Sequence, residues 1–207
     1  YVWFDALTNY INALGYADNG GLFKKYWQEN EDILHVIGKG VSRFHAVYWP
    51  TMLLSAGLRL PRTIFVHGYL TVDGQKISKS LGNVVDPFEL VKKYGTDAVR
   101  YYLLREIPSG EDGDFSEAKF KERYNADLAN GLGNLAARIL QMSSQHLDKS
   151  IDMPTQEDLF DSSSGKLVQQ CLDLFEFDRA LFVLWSWMRD LDTLIEEQKP
   201  FDLVKKN

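Results

Sequence analysis

The chain has 207 residues, 45% of them hydrophobic and 13% aromatic, which is enough apolar surface for one large or two small cores and excludes a disordered polar chain. A formal net charge of −6 argues against the broadly basic face of a general nucleic-acid binder, so no DNA partner is expected and any RNA contact must use local groups. The single cysteine, Cys171, permits neither an internal disulfide nor a Cys-based zinc cluster, and its helical neighbours Leu167 and Leu174 mark it as a buried small side chain. With no run of about 18 apolar residues and no signal-like leader, no membrane partner is expected and the predicted location is cytoplasmic.

Tyr1-Val2-Trp3-Phe4 reads as a strand, without an initiator methionine, as expected of a fragment cut from inside a longer protein. Helical signals run from about Leu7 to Leu14 with Gly15 as C-cap, and Ala17 to Gly21 reads as a loop. Ile33 to Gly38 reads as a short buried strand, and Arg43 to Ser55 as a helix with Phe44, Val47, Tyr48 and Leu54 on its apolar side. Thr63 to Val72, rich in β-branched and aromatic residues, reads as one further strand ended by the turn dipeptide Asp73-Gly74. Strands alternating with helices predict parallel βαβ units in a doubly wound α/β sheet, with the ligand site at the carboxyl ends of the strands.

After Pro108-Ser109-Gly110-Glu111-Asp112-Gly113-Asp114 the period changes. Phe120, Tyr124, Leu128, Leu132, Leu135, Ile139 and Met142 recur at steps of three and four and predict one amphipathic helical face. A polar linker with Pro154 and Ser162-Ser163-Ser164-Gly165 follows, then helices over Leu167 to Phe177 and along Leu181, Leu184, Met188, Leu191 and Ile195. The change predicts a boundary near Ser116, with an α/β region over residues 1–115 and an all-α helical bundle over 116–207.

Three constellations carry chemistry. The first is aromatic: Trp3, Tyr10, His45 and Trp49, with His45 and Trp49 at i,i+4 just after the strand end at Gly38. Such rings suit core packing, and they equally suit a thioether, whose sulfur gains roughly 0.3–1.5 kcal/mol per ring contact. His45 has no carboxylate or second histidine at ligand spacing nearby, so no metal site is predicted. The second is the glycine-flanked Gly38-Lys39-Gly40 together with Lys76-Ile77-Ser78-Lys79-Ser80. Lysines and serines on a loop are often mere solvated surface, but two flexible ammonium groups can also follow charge that builds on a departing pyrophosphate. The third is the stripe Asn130, Asn134 and Arg138 at i,i+4,i+8, either the polar margin of a core or a set of amides and a guanidinium able to read unpaired bases.

The Lys76 to Ser80 loop, placed after a strand and before Leu81-Gly82-Asn83, resembles the KMSKS signature of class I aminoacyl-tRNA synthetases. Val2-Trp3-Phe4-Asp5-Ala6, Gly38-Lys39-Gly40, His45, Trp49-Pro50, Phe65-Val66-His67-Gly68-Tyr69, Gly82-Asn83-Val84-Val85-Asp86-Pro87, Asp97-Ala98-Val99-Arg100 and Asn134-Leu135-Ala136-Ala137-Arg138 follow in the order seen in methionyl-tRNA synthetases. The resemblance implies a C-terminal fragment. Its residues 1–115 would hold the second half of the catalytic Rossmann domain and a stem-contact region, and 116–207 most of an anticodon-binding bundle. It further implies methionine, ATP with Mg²⁺ and tRNA(Met) as substrates, with the family's zinc-bearing insertion outside this chain.

By resemblance, Val2, Trp3, Ala6, Leu7, Tyr10, Val41, His45 and Trp49 enclose the methionine side chain. Gly38, Lys39, Ile77, Ser78 and Lys79 contact ATP, and Lys76 and Lys79 are the catalytic pair. Asn134 and Arg138 read the CAU anticodon, with Phe201 after Pro200 stacking on a base. Gly40 stands where the family usually carries an acidic residue for the ATP ribose, and a glycine has no side chain to make that contact. The weighed alternatives are a class I synthetase for a branched aliphatic amino acid, disfavoured by the large aromatic slot, and a noncatalytic tRNA-binding module, disfavoured by intact Lys76 and Lys79.

Overall fold

The computed structural model describes residues 2–78, 80, 82–146, 163–200 and 202. Its two compact units are Tyr1–Tyr69 and Leu70–Asn207, so the units part ahead of the change of period near Ser116.

The first unit begins with helix α1, Val2–Asn12, where a strand was predicted for Tyr1 to Phe4. The helical period wins because Trp3, Leu7 and Ile11 stand one turn apart: Leu7 and Ile11 are buried and Trp3 packs on the same core, while Val2 and Phe4 are exposed. Asp5 in the first turn also suits the positive end of the helix dipole. Gly15, at φ 83, ends the following turn in the left-handed conformation that glycine adopts at little cost.

Helix α2, Gly21–Phe23, runs on into a π-helical turn over Lys24–Gln28 that buries Trp27. Strand β1, Leu34–Gly38, pairs in parallel with β2, Thr63–His67, from Leu34 opposite Thr63 to Gly38 opposite His67. The crossover is a helical segment, π-helical over Phe44–Tyr48 and then α3, Trp49–Ser55. Strand β1 was expected to be buried throughout. It alternates instead, with His35 and Ile37 buried and Leu34 and Val36 exposed, because the helices of this unit pack on one face. The crossover also turns a different side inward: His45, Trp49 and Leu53 are buried, whereas Val47, Tyr48 and Leu54 are exposed and Phe44 lies against Trp3.

The predicted single strand Thr63 to Val72 is two. After Gly68-Tyr69 the chain enters the second unit as β3, Leu70–Val72, which pairs antiparallel with β4, Gln75–Lys76, and in parallel with β5, Gly113–Phe115. One continuous strand cannot keep register with both sheets. Asp73 and Gly74 both have positive φ, as a two-residue hairpin turn of this hand requires. Strand β5 lies at the point where the sequence period changes, and no strand was predicted there. It is held through Asp114, whose Oδ1 accepts from Thr71 Oγ1 and from the Gly74 N–H, each at 2.7 Å. Those hydrogen bonds, Thr71 first, hold the Asp114 carboxyl below its usual range.

Asp86 caps helix α4, Pro87–Tyr94, by accepting from the Phe88 N–H, with Pro87 at the position where its missing donor costs nothing. Helix α5, Thr96–Glu106, packs Ala98, Val99 and Tyr102 on Val72, Phe115 and Phe120. Ser116 then caps α6, Glu117–Arg123, which continues through a π-helical stretch, Tyr124–Gly133, into α7, Asn134–His146. This stretch breaks the predicted single apolar stripe. A π-helix carries more residues per turn, so the side chains after it rotate out of phase: Phe120 and Leu135 are buried, but Tyr124, Leu132 and Ile139 are exposed. Helix α8, Ser163–Asp173, takes Ser163, Ser164 and Gly165 out of the expected linker, with Gly165, Val168 and Cys171 buried. It packs Val168 and Cys171 on Ala180 and Val183 of α9, Phe177–Gln198. The described fold is mostly helical with two small sheets.

Candidate functional site

In the first unit, α1, β1 and the crossover bring Trp3, Tyr10, His35, His45 and Trp49 into one cluster. The Trp3 ring stacks on Phe44 at 4.0 Å. Tyr10 reaches His45 Nε2 with its hydroxyl at 2.8 Å, and His45 Nδ1 lies 3.0 Å from the Val41 carbonyl oxygen. A carbonyl can only accept, so Nδ1 carries the hydrogen, and in the neutral ring Nε2 accepts from the Tyr10 hydroxyl. A second bond runs beside this relay, from the Trp49 indole N–H to His35 Nε2 at 3.1 Å. The His35 ring lies 4.5 Å from that of Tyr10 and 6.0 Å from that of His45. Burial first, and His45 second, lower the His35 pKa from 6.5 to about 4.

Of the residues expected around a methionine side chain, Leu7, His45 and Trp49 are buried, Trp3 and Val41 are half-buried, and Tyr10 is partly exposed. Val2 and Ala6 lie on the exposed side of α1 and do not join the cluster. His35 and Trp27 escaped the sequence reading. For His35 the signal was its alternation with Ile37 on the same face of β1. A cavity of about 920 Å³ opens beside the cluster, with Trp3, Leu7, Ile11, Trp49 and Met52 among its walls.

Gly38 ends β1, and a Cβ there would make an ordinary contact with the His67 ring at 3.5 Å. Gly40 is different. A Cβ at this position would fall 2.4 Å from the Tyr69 hydroxyl oxygen, so any other residue requires Tyr69 to swing away. The Lys39 ammonium sits 4.8 Å above the same Tyr69 ring. The contact of Tyr69 with Gly40 joins distant parts of the chain and has no signal in sequence spacing.

In the second unit Lys76 closes the β3–β4 hairpin with an exposed side chain that pairs with no carboxylate among the described residues. Ile77 packs on the core below. Asn83 ties the loop from both sides: its Oδ1 accepts from the Ser78 N–H at 2.8 Å, and its Nδ2 donates to the Lys76 carbonyl at 3.1 Å. The Ser78 and Ser80 hydroxyls meet at 2.7 Å, and Gly82 holds φ 67. Lys79 lies outside the described residues.

On the long helix of the second unit Asn130 and Asn134 are exposed. Arg138 is half-buried and pairs through Nη1 with Asp192 Oδ1 of α9. Phe201 lies outside the described residues. Nearby, the Tyr101 hydroxyl donates to Asp127 Oδ2 at 2.6 Å, and burial, then that bond, push the phenol pKa up. Among the described residues no three His, Cys, Asp or Glu side chains group as a metal site, and no helix is long and apolar enough to cross a membrane.

The family described as tRNA synthetases class I (M) matches residues 1–140. The methionine–tRNA ligase of Thermotoga maritima is 45% identical over 213 aligned positions, which take in 100% of this chain and 33% of that protein. That of Fusobacterium nucleatum is 47% identical over 212 positions, 99% of this chain and 33% of the relative. Among solved structures, Mycobacterium tuberculosis methionyl-tRNA synthetase bound by methionyl-adenylate matches with a TM-score of 0.85 at 44% identity, covering 99% of this chain and 41% of that one. The chain thus spans 33% of the length of these two curated relatives. The family match runs through the aromatic cluster, the end of β1 and the lysine hairpin, and the relatives extend it along the whole chain: the protein belongs to the methionyl-tRNA synthetase family of class I tRNA synthetases.

Proposed function

We propose that this chain is the C-terminal part of a methionine–tRNA ligase, which joins methionine to ATP as methionyl-adenylate and passes the aminoacyl group to the 3′ end of tRNA(Met). Residues 1–115 then supply the second half of a Rossmann catalytic domain, and 116–207 most of an anticodon-binding bundle. The observation that carries this reading is the convergence of Trp3, Tyr10, His45 and Trp49 with fixed hydrogen bonds. Rigid rings with one polar handle suit an unbranched thioether better than a branched aliphatic chain.

The chemistry asked of the lysine loop is electrostatic. The methionine carboxylate attacks the α-phosphorus of ATP, a carboxylate–phosphorus bond forms, and pyrophosphate leaves with the electron pair of the broken P–O bond. Lys76 and Lys79 meet the charge that grows on the departing pyrophosphate, which enters with Mg²⁺ as part of the substrate. Ile77 and Ser78 hold nucleotide through a loop whose shape is kept by the Ile77 anchor and the Asn83 ties. On the first unit Gly38 and Lys39 serve the nucleotide at the end of β1, where open α/β sheets bind ligands. Asn134, Arg138 and Phe201 read the anticodon. Arg138 would have to exchange Asp192 for a base to do so.

The test is ATP–pyrophosphate exchange. The full-length polypeptide containing this chain is expected to exchange only when methionine is present, and the isolated 207-residue chain to be inactive. Methionine-independent exchange, or exchange by the isolated chain, would overturn the reading.

A further inference from the structure

The aromatic cluster contains a buried histidine that the reaction outlined above does not use. His35 is 6% exposed and Trp49 1% exposed. An indole N–H buried this deeply must find an acceptor, because an unsatisfied donor in the core forfeits its hydration without return. For Trp49 that acceptor is His35 Nε2 at 3.1 Å. An imidazole nitrogen accepts only when it carries no hydrogen, so His35 is neutral with its hydrogen on Nδ1. The titratable groups that face it are Tyr10 from α1 and His45 from the crossover, with the Trp27 ring 6.1 Å away on the segment after α2. A cationic His35 would lose the Trp49 bond and face His45, and burial disfavours its charge.

The cluster therefore holds two hydrogen-bond chains that share rings and no atoms: Tyr10 to His45 to Val41, and Trp49 to His35. The first fixes the imidazole of His45. The second fixes which edge of Trp49 is turned to β1 and which face is turned to the 920 Å³ cavity that Trp49 helps to wall.

We propose that His35 is a positioning residue for amino-acid recognition: by accepting the Trp49 indole N–H it sets the orientation of that ring and so the shape of the slot for the methionine side chain. The role rests on the functional reading above. It predicts that His35 acts on the amino-acid side of the reaction alone, and only through Trp49.

The experiment uses the full-length protein, with His35→Leu (no acceptor) and His35→Gln (acceptor retained), assayed by ATP–pyrophosphate exchange beside melting curves. His35→Leu is expected to raise the methionine KM about tenfold, the effect of one unsatisfied buried donor, with the ATP KM unchanged. His35→Gln should restore most of the loss. In a Trp49→Phe background, where no indole N–H remains, His35→Leu should add nothing further, a non-additivity that separates a shared contact from general damage. The proposal is overturned if methionine and ATP KM rise together with a lowered melting temperature, if Gln fails to rescue a variant that melts normally, or if the two losses add. Failure of the functional reading looks different: the wild type itself would then show no methionine-dependent exchange.

Discussion

The aromatic cluster of the first unit and the lysine hairpin of the second solve opposite problems. The cluster ties a hydroxyl, an imidazole and an indole to fixed partners, Tyr10 to His45, His45 to Val41 and Trp49 to His35. The hairpin keeps Lys76 exposed and orders only the backbone beneath it, through Asn83, Asp114 and the Ile77 anchor. A slot that selects an uncharged side chain gains from rigidity, because selection depends on shape and on polar groups left unpaired by the wrong ligand. A loop that follows moving charge gains from a mobile ammonium on an ordered base. Damage to the first should therefore appear as lost stability and lost amino-acid affinity, and damage to the second as lost rate.

The largest effect is expected from Trp49→Ala. The side chain is 1% exposed and packed in the first core, and such truncations cost about 3–5 kcal/mol. Urea unfolding should show the loss, and a change below about 1 kcal/mol would mean that the cluster is not a core. Lys76→Ala should reverse the pattern. Its exposed side chain predicts a stability change within about 0.5 kcal/mol, while the rate of methionine activation falls on the order of a hundredfold. Single-turnover adenylate formation beside a melting curve separates the two.

The next effect concerns acid. The folded-state pKa of His35 is lowered from 6.5 to about 4, so between these values the unfolded chain binds a proton that the folded chain refuses. Stability from this group is fully present above 6.5 and is lost as pH falls toward about 4. Unfolding free energy measured across that window should slope less in His35→Gln than in the wild type. An identical slope would show that His35 does not titrate as its burial requires. The smallest effect is expected at Arg138, whose pair with Asp192 is part-exposed and contributes at most about 1 kcal/mol. Arg138→Ala should melt nearly as the wild type while the full-length protein loses preference for the CAU anticodon in aminoacylation. An early melt with the preference intact would return the residue to helix packing.

Local signals were legible where a few adjacent residues decide the backbone. Asp73-Gly74 marked its turn, and Ile33 to Gly38 the strand that became β1. The N-terminal segment misled because Tyr1-Val2-Trp3-Phe4 has strand composition, whereas its fate is set by Trp3, Leu7 and Ile11 sharing one helical face with the core. Strand β5 was hidden because Gly113-Asp114-Phe115 has turn-like composition and is a strand only through its pairing with β3 and the Asp114 bonds. The apolar row from Phe120 to Met142 assumed a constant period, which the π-helical stretch Tyr124–Gly133 breaks. In the cluster, Trp3, Tyr10, His45 and Trp49 were legible from their types and order. His35 was not, because its role depends on one indole hydrogen bond across 14 residues.

The measurement that bears most directly on the division between slot and hairpin is calorimetric titration of amino acids into the full-length protein without ATP, for the wild type and Lys76→Ala. The expected result is that methionine binds both forms with the same affinity and that leucine and isoleucine bind neither measurably. Equal binding of leucine and methionine, or loss of methionine binding in Lys76→Ala, would contradict it.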